Sequence, residues 1–283
     1  MHAFIALSLL VVAADPLPEG KSSVELKFGS VPIEVFTYKP KGYVNGPLIM
    51  VFHGVLRNAE EYRDDSIEMG ERYRALILAP RFDDEQFPKR KYQFGGIVED
   101  GKAVPRDQRT GEYVNRIYKA ICEKEGRSEL PLYLIGHSGG GQFLVRLAAF
   151  VKTDAKRIVA SNAGTYLFPD RISRFPFGYG GLPNELQSDD QLKAYLAQPL
   201  TLYLGTEDTE RDEYLDVTPE ADAQGSVRFE RGKNAFAFGK KLADERNWEF
   251  GWKLVIANGI EHDHTKMFNH PQCSTALELK KPD

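Results

Sequence analysis

The sequence of 283 residues has few cysteines, no surplus of positive charge and no long apolar run. Its two cysteines, Cys122 and Cys273, are too few for a zinc ribbon or a disulfide-dense scaffold. They could form one disulfide or lie apart as two small buried side chains, and the sequence leaves both alternatives open. With 37 basic and 41 acidic side chains the net charge is −4, which argues against a nucleic-acid partner.

An apolar run near the N-terminus, Ala3–Ala14, is too short to span a bilayer. Val12 and Ala14 occupy positions −3 and −1 of a possible cleavage site before Asp15, as secretory signal peptides prefer. No Lys or Arg precedes the run, and a buried N-terminal strand is the alternative. We predict that residues 1–14 are a signal peptide, that the protein is secreted or periplasmic, and that no segment spans a membrane.

Short apolar segments alternate with amphipathic ones along the rest of the chain. Residues Val24–Phe28 and Ile33–Tyr38 alternate as in a β-hairpin. Further strands are predicted at Leu48–Phe52, Ala75–Ala79, Leu132–Ile135, Arg157–Ala160, Leu200–Leu204 and Lys253–Ile256. Helices are predicted over Ala59–Tyr73, Gly111–Lys124, Gln142–Val151 and Ala235–Glu245. This order predicts an α/β fold with a mostly parallel central sheet and helices on both faces, in one catalytic domain over residues 15–283.

One long stretch, Asn162–Ser188, is rich in Gly, Pro and aromatic residues and has no periodic pattern. Loops of such length inside a compact domain are usually lids or binding loops. We predict a lid-like insertion over residues 162–188. Its aromatic side chains either wall a pocket for an apolar group or pack in the core.

The most informative segment is Leu132–Gly140, in which G-x-S-x-G directly follows a predicted strand and directly precedes a predicted helix. A strand, a sharp turn and a helix in this order are typical of a nucleophile elbow. Glycines are needed at Gly136 and Gly140 because other backbone passes close to them. We therefore predict Ser138 as a nucleophile. A phosphate-binding loop is excluded, because no Lys follows the glycines.

An acidic side chain follows the predicted strand Leu200–Leu204, in the segment GTEDT. This position suits the carboxylate that orients the base when the chain order is Ser, Asp, His. Asp208 is the preferred candidate, and Glu207 is its close rival.

Two histidines after the last predicted strand compete for the role of base. A base must reach the serine hydroxyl while its other ring nitrogen faces the acid. His262 is preferred over His264 because it lies closer to the end of the strand. Asp263 between the two histidines provides no closed set of metal ligands, so we expect no metal.

An oxyanion hole is predicted from the segment VFHGVLR, where a buried strand ends in His53 and Gly54. In sheets of this type the loop after such a strand supplies one backbone N–H. The expected donors are the amides of Val55 and Gly139. The side chain of His53 is then structural and packs under the loop.

Substrate contacts are predicted from proximity to these loops. The candidates are two residues near the oxyanion loop, two that flank the nucleophile and one aromatic residue of the lid-like insertion: Arg57, Tyr62, His137, Gln142 and Tyr166.

Four segments resemble those of secreted polyhydroxybutyrate-depolymerase-like (LpqC-like) esterases of the α/β-hydrolase superfamily: VFHGVLRNAEEYRD, GHSGGGQFLVR, NAGTYLFP and GIEHDHTKMF. The resemblance covers nearly the whole chain after residue 14 in element order. It implies the α/β-hydrolase fold and a carboxylic-ester hydrolase that needs no cofactor. No appended substrate-binding domain is recognisable, which favours a soluble or oligomeric ester over a crystalline polymer as substrate.

The expected function is that of a serine hydrolase that cleaves carboxylic esters through an acyl-enzyme intermediate. A serine peptidase on the same fold is the first alternative, because the same three residues also cleave amides. A binding protein that keeps the fold without catalysis is the second. The sequence leaves the oligomeric state open.

Overall fold

The computed structural model describes residues 15–280. The signal peptide predicted for residues 1–14 lies outside the described residues and stays a prediction. Within residues 15–280, no helix combines the length and the apolar character that a membrane span requires.

Eight strands form the central sheet in the order β1-β2-β4-β3-β7-β8-β9-β10. The β1–β2 and β2–β4 pairs are antiparallel, and all the other neighbours in this sheet are parallel. β5 and β6 form a separate short hairpin. The strands are β1 Gly20–Phe28, β2 Val31–Lys39, β3 Leu48–Phe52, β4 Leu76–Pro80, β5 Val98–Glu99, β6 Lys102–Ala103, β7 Leu132–His137, β8 Arg157–Ser161, β9 Leu200–Gly205 and β10 Lys253–Ala257.

Helices cover both faces of the sheet, as the sequence predicts for a mostly parallel sheet. Helices α3, α4, α5 and α7 contribute buried residues to the core on one face, and α1, α2, α8 and α9 contribute to the core on the other. The α-helices are α1 Ala59–Asp65, α2 Ile67–Tyr73, α3 Glu112–Lys124, α4 Gly139–Phe150, α5 Asp189–Leu196, α6 Pro219–Asp222, α7 Arg228–Arg246, α8 His264–Asn269 and α9 Gln272–Leu277.

The strand β3 shows why the sheet has two cores. All five of its residues are buried, and successive side chains point to opposite faces. Leu48, Met50 and Phe52 pack on one face, whereas Ile49 and Val51 pack on the other. A continuous apolar run is therefore required, because no face of this strand meets water.

The helix predicted over Ala59–Tyr73 is two helices that meet at Ser66. The Ser66 hydroxyl donates a hydrogen bond to the carbonyl of Tyr62, 2.7 Å away. A serine side chain that bonds to the preceding turn competes with the helical hydrogen bonds, which explains the break.

Three short helices that apolar periodicity did not predict begin at side-chain N-caps. Ser188, Thr218 and Asp263 each accept a hydrogen bond from a backbone N–H in the first turn of α5, α6 and α8. A cap can stabilise a helix that is too short to show a periodic pattern.

The segment 162–188 packs into the molecule and contains only a short 3₁₀-helix at Asn184–Leu186. Tyr166 and Tyr179 are fully buried in the core that also contains α4 and α5. Of the two alternatives for the aromatic side chains of this segment, these two rings follow the second and pack in the core.

Cys122 and Cys273 are both free and buried. Cys122 is part of α3 and packs in the core on one face of the sheet, and Cys273 packs in the core on the opposite face. The alternative of two separate buried side chains therefore holds in the structure.

We expect neither thiol to react with a thiol reagent such as dithionitrobenzoate in the native protein, because both are buried. In denaturant without a reductant, both thiols should react. Absorbance at the end of each reaction counts them, and a count of zero in denaturant would show a disulfide instead.

Candidate active site

Ser138 lies in the turn between β7 and α4 with φ +55° and ψ −115°. This backbone conformation is rare for a residue with a side chain and is a recognised form of local strain. The surrounding glycines make the turn possible. A Cβ on Gly136 would lie 2.6 Å from the carbonyl carbon of Gly140, and a Cβ on Gly140 would collide with the carbonyl of Phe52. The elbow predicted from the sequence is therefore present in the backbone.

Asp208 and His262 follow β9 and β10, which are parallel neighbours. Nδ1 of His262 lies 2.8 Å from Oδ2 of Asp208. Because the carboxylate can only accept, Nδ1 carries the proton and Nε2 is left as an acceptor. Asp208 is 1% exposed, and the His262 side chain is 22% exposed. The rival acid Glu207 points elsewhere and accepts a hydrogen bond from Thr206, 3.2 Å away.

Ser138 and His262 line the same cleft. Among residues 15–280, the Ser138 hydroxyl makes no hydrogen bond to the imidazole. In enzymes free of substrate this contact is often long or poorly aligned, so the present geometry is compatible with a nucleophile and its base.

Arg228 lies against the buried carboxylate of Asp208. Its Nη1 is 3.6 Å from Oδ1 of Asp208, and its Nη2 is 2.7 Å from Oδ1 of Asp212. Arg228 is itself 1% exposed. A buried carboxylate is costly without a partner, and Arg228 supplies one. Sequence reasoning missed this residue because it stands at the start of a helix with no recognisable motif.

Asn162 ties together the loops that carry the acid and the base. Its Oδ1 accepts from the backbone N–H of Gly205 at 2.8 Å, and its Nδ2 donates to the carbonyl of Glu261 at 3.2 Å. Its own N–H donates to the carbonyl of Tyr203. Asn162 is 1% exposed and has φ +44°, a conformation that Asn tolerates. It is the residue directly after β8 at the same edge of the sheet.

Two backbone amides lie beside Ser138 where an oxyanion hole is predicted. A Cβ on Gly139 would lie only 3.2 Å from the nitrogen of Val55, so the two loops are in close contact. In the described part of the chain neither amide donates a hydrogen bond. Such donors at the start of a helix are available for a negatively charged oxygen.

His53 supports the loop that carries Val55. Its Nε2 accepts from the backbone N–H of Phe82 at 3.0 Å, and its Nδ1 therefore donates to the carbonyl of Gly54 at 2.9 Å. The ring is fully buried, and this burial lowers the pKa of His53 to about 3. A neutral imidazole with both nitrogens bonded is a structural group, in agreement with the structural role expected for His53.

Of the five predicted substrate contacts, Tyr62 and His137 line the cleft. Tyr62 stacks on His264 with ring centroids 4.0 Å apart and an angle of 3° between the rings. His137 lies under His262, and their ring centroids are 4.4 Å apart.

The other three predicted contacts, Arg57, Gln142 and Tyr166, are not among the residues that line this cleft. Arg57 donates to the carboxylate of Asp84 and lies over the ring of Tyr92. Gln142 accepts from Thr165 at 2.9 Å, and Tyr166 is buried in the core. These three side chains contact other residues of the protein instead of the cleft. Their closeness in the sequence to the predicted site residues does not reveal this.

No residue of the segment 162–188 is among those that line the cleft. Tyr166 and Tyr179 of this segment pack in the core, and a lid-like role of the segment stays a prediction.

His264, the rival base, forms a second histidine–carboxylate pair. Its Nε2 lies 2.8 Å from Oδ2 of Asp65, and the same oxygen accepts from Thr265 at 2.9 Å. His264 also lines the cleft. Asp65 is at the end of α1, so nothing in the local sequence of His264 predicts the pairing.

Four residues complete the lining of the cleft beside those already named, and sequence reasoning missed them: Leu56, Asn58, Glu61 and Tyr214. Leu56 is 65% exposed and Tyr214 is 53% exposed, which is unusual for large apolar side chains. An exposed Leu next to a predicted oxyanion loop could have been noted from the sequence, whereas Tyr214 stands far from every motif.

One group of potential metal ligands is found within residues 15–280. Ligand atoms of Glu61, Asp65 and His264 lie within 4.8 Å of one another. Nε2 of His264 carries the proton of its hydrogen bond to Asp65. A metal ion binds only a ring nitrogen that has no proton, so this hydrogen bond competes with metal binding at Nε2.

We expect Asn162→Ala to lower the free energy of unfolding by about 1–3 kcal/mol, because it leaves the buried N–H of Gly205 and the carbonyl of Glu261 without their partner. Urea unfolding measures the change. Asn115→Ala, which removes hydrogen bonds far from the cleft, is the control and should change stability by no more than about 0.5 kcal/mol. Equal midpoints for both variants would contradict the role of Asn162.

Solved structures of two hydrolases are similar to the chain over nearly its whole length. Poly(aspartic acid) hydrolase-1 from Sphingomonas sp. KT-1 is 33% identical with a TM-score of 0.85, and the match covers 93% of this chain and 99% of that one. The poly(3-hydroxybutyrate) depolymerase LpqC from Bordetella parapertussis is 32% identical with a TM-score of 0.85, over 94% and 93% of the two chains.

A more distant structure shares only the fold. The siderophore hydrolase EstB from Aspergillus nidulans is 15% identical with a TM-score of 0.53, over 99% of this chain and 97% of that one. No family model and no curated protein matches the sequence. The strand order, the strained serine turn and the identity of about one third to two hydrolases agree with one another, and the chain belongs to the α/β-hydrolase superfamily of serine hydrolases, in the group of LpqC-like proteins.

Proposed function

We propose that this protein hydrolyses carboxylic esters through an acyl-enzyme intermediate. The observation that carries the proposal is the 2.8 Å bond between Nδ1 of His262 and Asp208, at a cleft that Ser138 also lines. This bond holds the tautomer in which Nε2 can accept a proton from a hydroxyl. Ser138 is the proposed nucleophile, His262 the general base and Asp208 the orienting acid.

In the first half of the proposed reaction, Ser138 Oγ forms a bond to the ester carbonyl carbon while Nε2 of His262 takes the hydroxyl proton. Asp208 stabilises the imidazolium that results. Collapse of the tetrahedral intermediate breaks the bond to the alcohol, which leaves with the proton from His262. In the second half, His262 removes a proton from water while the water oxygen attacks the acyl carbon. Collapse of this second tetrahedral intermediate breaks the bond to Oγ of Ser138, which takes the proton from His262 as the acid leaves.

The amides of Val55 and Gly139 are the proposed donors to the negatively charged oxygen of each tetrahedral intermediate. Both are held by rigid backbone, since Gly139 starts α4 and the Val55 loop is supported by His53. Donors that are already oriented need no reorganisation during the reaction. Loss of one such donor typically reduces turnover by about 10²–10³-fold.

The Leu56 and Tyr214 side chains support a substrate with an apolar part, because both are exposed and line the cleft. A soluble or oligomeric ester remains the proposed substrate. Export of the protein, predicted from residues 1–14, likewise stays a prediction.

Amide hydrolysis is the second candidate. It is favoured by the 33% identity to a poly(aspartic acid) hydrolase, because poly(aspartic acid) is a polyamide. The LpqC relative is a depolymerase of an ester polymer at nearly the same identity. A parallel panel of nitrophenyl esters and peptide nitroanilides separates the two activities.

We expect Ser138→Ala to reduce ester hydrolysis by about 10⁴-fold or more while the protein stays folded, because the variant lacks the attacking oxygen. Circular dichroism checks folding, and release of nitrophenolate measures turnover. A fluorophosphonate probe should label the wild type at Ser138, as read by mass spectrometry of the peptide. Unchanged hydrolysis by the variant would refute the nucleophile. Absence of labelling would favour a binding protein without catalysis.

A comparison of the two cleft histidines tests the choice of base. We expect His262→Ala to lose about 10⁴-fold or more in kcat, because no other imidazole is bonded to Asp208 among the described residues. His264→Ala should lose no more than about tenfold, because His264 is bonded to Asp65 instead. Both variants are assayed with the same neutral nitrophenyl ester. A reversed order of the two losses would assign the base to His264.

A further inference from the structure

The cleft beside Ser138 has a negative border. A second depression adjoins it and shares Tyr214 and His262 with it. Neither depression has a Lys or Arg among its lining residues. Their acidic lining residues are Glu61, Glu207, Asp208, Glu210, Asp212, Glu213 and Glu261.

Only some of these carboxylates are neutralised. Arg228 pairs with Asp208 and Asp212, and Lys266 lies 3.7 Å from Glu261. The remaining four, Glu61, Glu207, Glu210 and Glu213, form no ion pair within residues 15–280, and all four are exposed. Several like charges around a concave surface create a potential that attracts cations and repels anions.

One wall of the cleft carries Glu61 and His264, and Asp65 is bonded to His264. Oxygen atoms of Glu61 and Asp65 and a ring nitrogen of His264 lie within 4.8 Å of one another. Because Nε2 of His264 donates to Asp65, its Nδ1 is an acceptor in the neutral ring. This wall therefore offers negative charge and one free ring acceptor, Nδ1 of His264, to a group in the cleft.

His137 is a second, independent polar group of this cleft. It is 2% exposed and lines the cleft, yet both of its ring nitrogens lack a hydrogen-bond partner within the described residues. Burial, followed by the charges of His262, His264 and Arg228, holds the pKa of His137 well below its usual value. A neutral ring keeps one nitrogen as an acceptor, and leaving a buried polar group unpaired costs about 1–3 kcal/mol.

We propose that the wall formed by Glu61, Asp65 and His264 binds a positively charged ammonium group of the substrate, in either its acyl or its alcohol part. This inference rests on the proposed ester hydrolysis and specifies its substrate class. Tyr214, exposed at the border, can contribute its aromatic face to the same cation.

A divalent metal ion is a weaker occupant for the same atoms. It would have to displace the proton that joins His264 to Asp65, whereas an ammonium group leaves that hydrogen bond in place. A polyanion such as poly(aspartic acid), named for one relative, would meet the uncompensated carboxylates and be repelled.

The test compares esters that differ only in charge. Butyrylcholine is paired with its uncharged isostere, in which carbon replaces the quaternary nitrogen. The nitrophenyl ester of trimethylammoniobutyric acid is paired with its uncharged isostere in the same way. We expect kcat/KM to be about tenfold higher for the charged member of at least one pair at low ionic strength. The ratio should fall as salt is added.

Glu61→Gln should bring this ratio towards one, because it removes the charge and keeps the shape. Glu249→Gln, which removes an exposed charge on the loop before β10, is the matched control and should leave the ratio unchanged. Equal or lower kcat/KM for the cation in both pairs would overturn the inference. An equal effect of both variants would also overturn it, since the preference would then come from overall charge.

Two further measurements separate failure of this inference from failure of ester hydrolysis. Calorimetric titration with butyltrimethylammonium needs no turnover, and it should show binding that Glu61→Gln weakens. Absence of binding would overturn the inference even if neutral esters are hydrolysed. If EDTA abolishes the activity and Mn²⁺ or Zn²⁺ restores it, the three side chains form a metal site instead.

Discussion

Hydrogen bonds between five parallel strands determine where each loop of the cleft begins. The order β3-β7-β8-β9-β10 brings the carboxyl ends of these strands to one edge of the sheet. Val55, Ser138, Asn162, Asp208 and His262 all lie on the loops that leave this edge. Neighbouring strands are only about 5 Å apart, so the pairing of the strands alone brings residues that are distant in the sequence close together.

The site depends on two carboxylates that are paired with imidazole rings, one of them buried and the other partly buried. Asp208 is held between His262 and Arg228, and Asp65 is held between His264 and Thr265. A carboxylate held by two neighbouring groups has few alternative positions, which restricts the rotation of the imidazole bonded to it. The two pairs therefore present two imidazole rings to one cleft. His262 is bonded to its carboxylate through Nδ1, and His264 is bonded through Nε2.

The two similar structures carry names that refer to chemically different polymers. One relative is a hydrolase of poly(aspartic acid) and another is a depolymerase of poly(3-hydroxybutyrate), and both have the same fold at about one third identity. The scaffold therefore permits different substrates. The residues that differ are expected on loops, because the strands are buried on both faces and cannot contact a substrate.

Local patterns in the sequence were sufficient to predict the eight strands of the central sheet, most of the longer helices, and the turn that carries Ser138. They did not predict the short hairpin of β5 and β6. A continuous apolar run such as β3 is recognisable because burial on both faces excludes polar residues, and G-x-S-x-G is recognisable because only glycine fits beside the strained serine. Only the tertiary structure decided that Arg228 joins Asp208, that His264 joins Asp65, and that Gln142 and Tyr166 turn inward. These contacts join segments far apart in the chain, and their partners are selected by packing and by charge compensation, which leave no signature in the neighbouring residues.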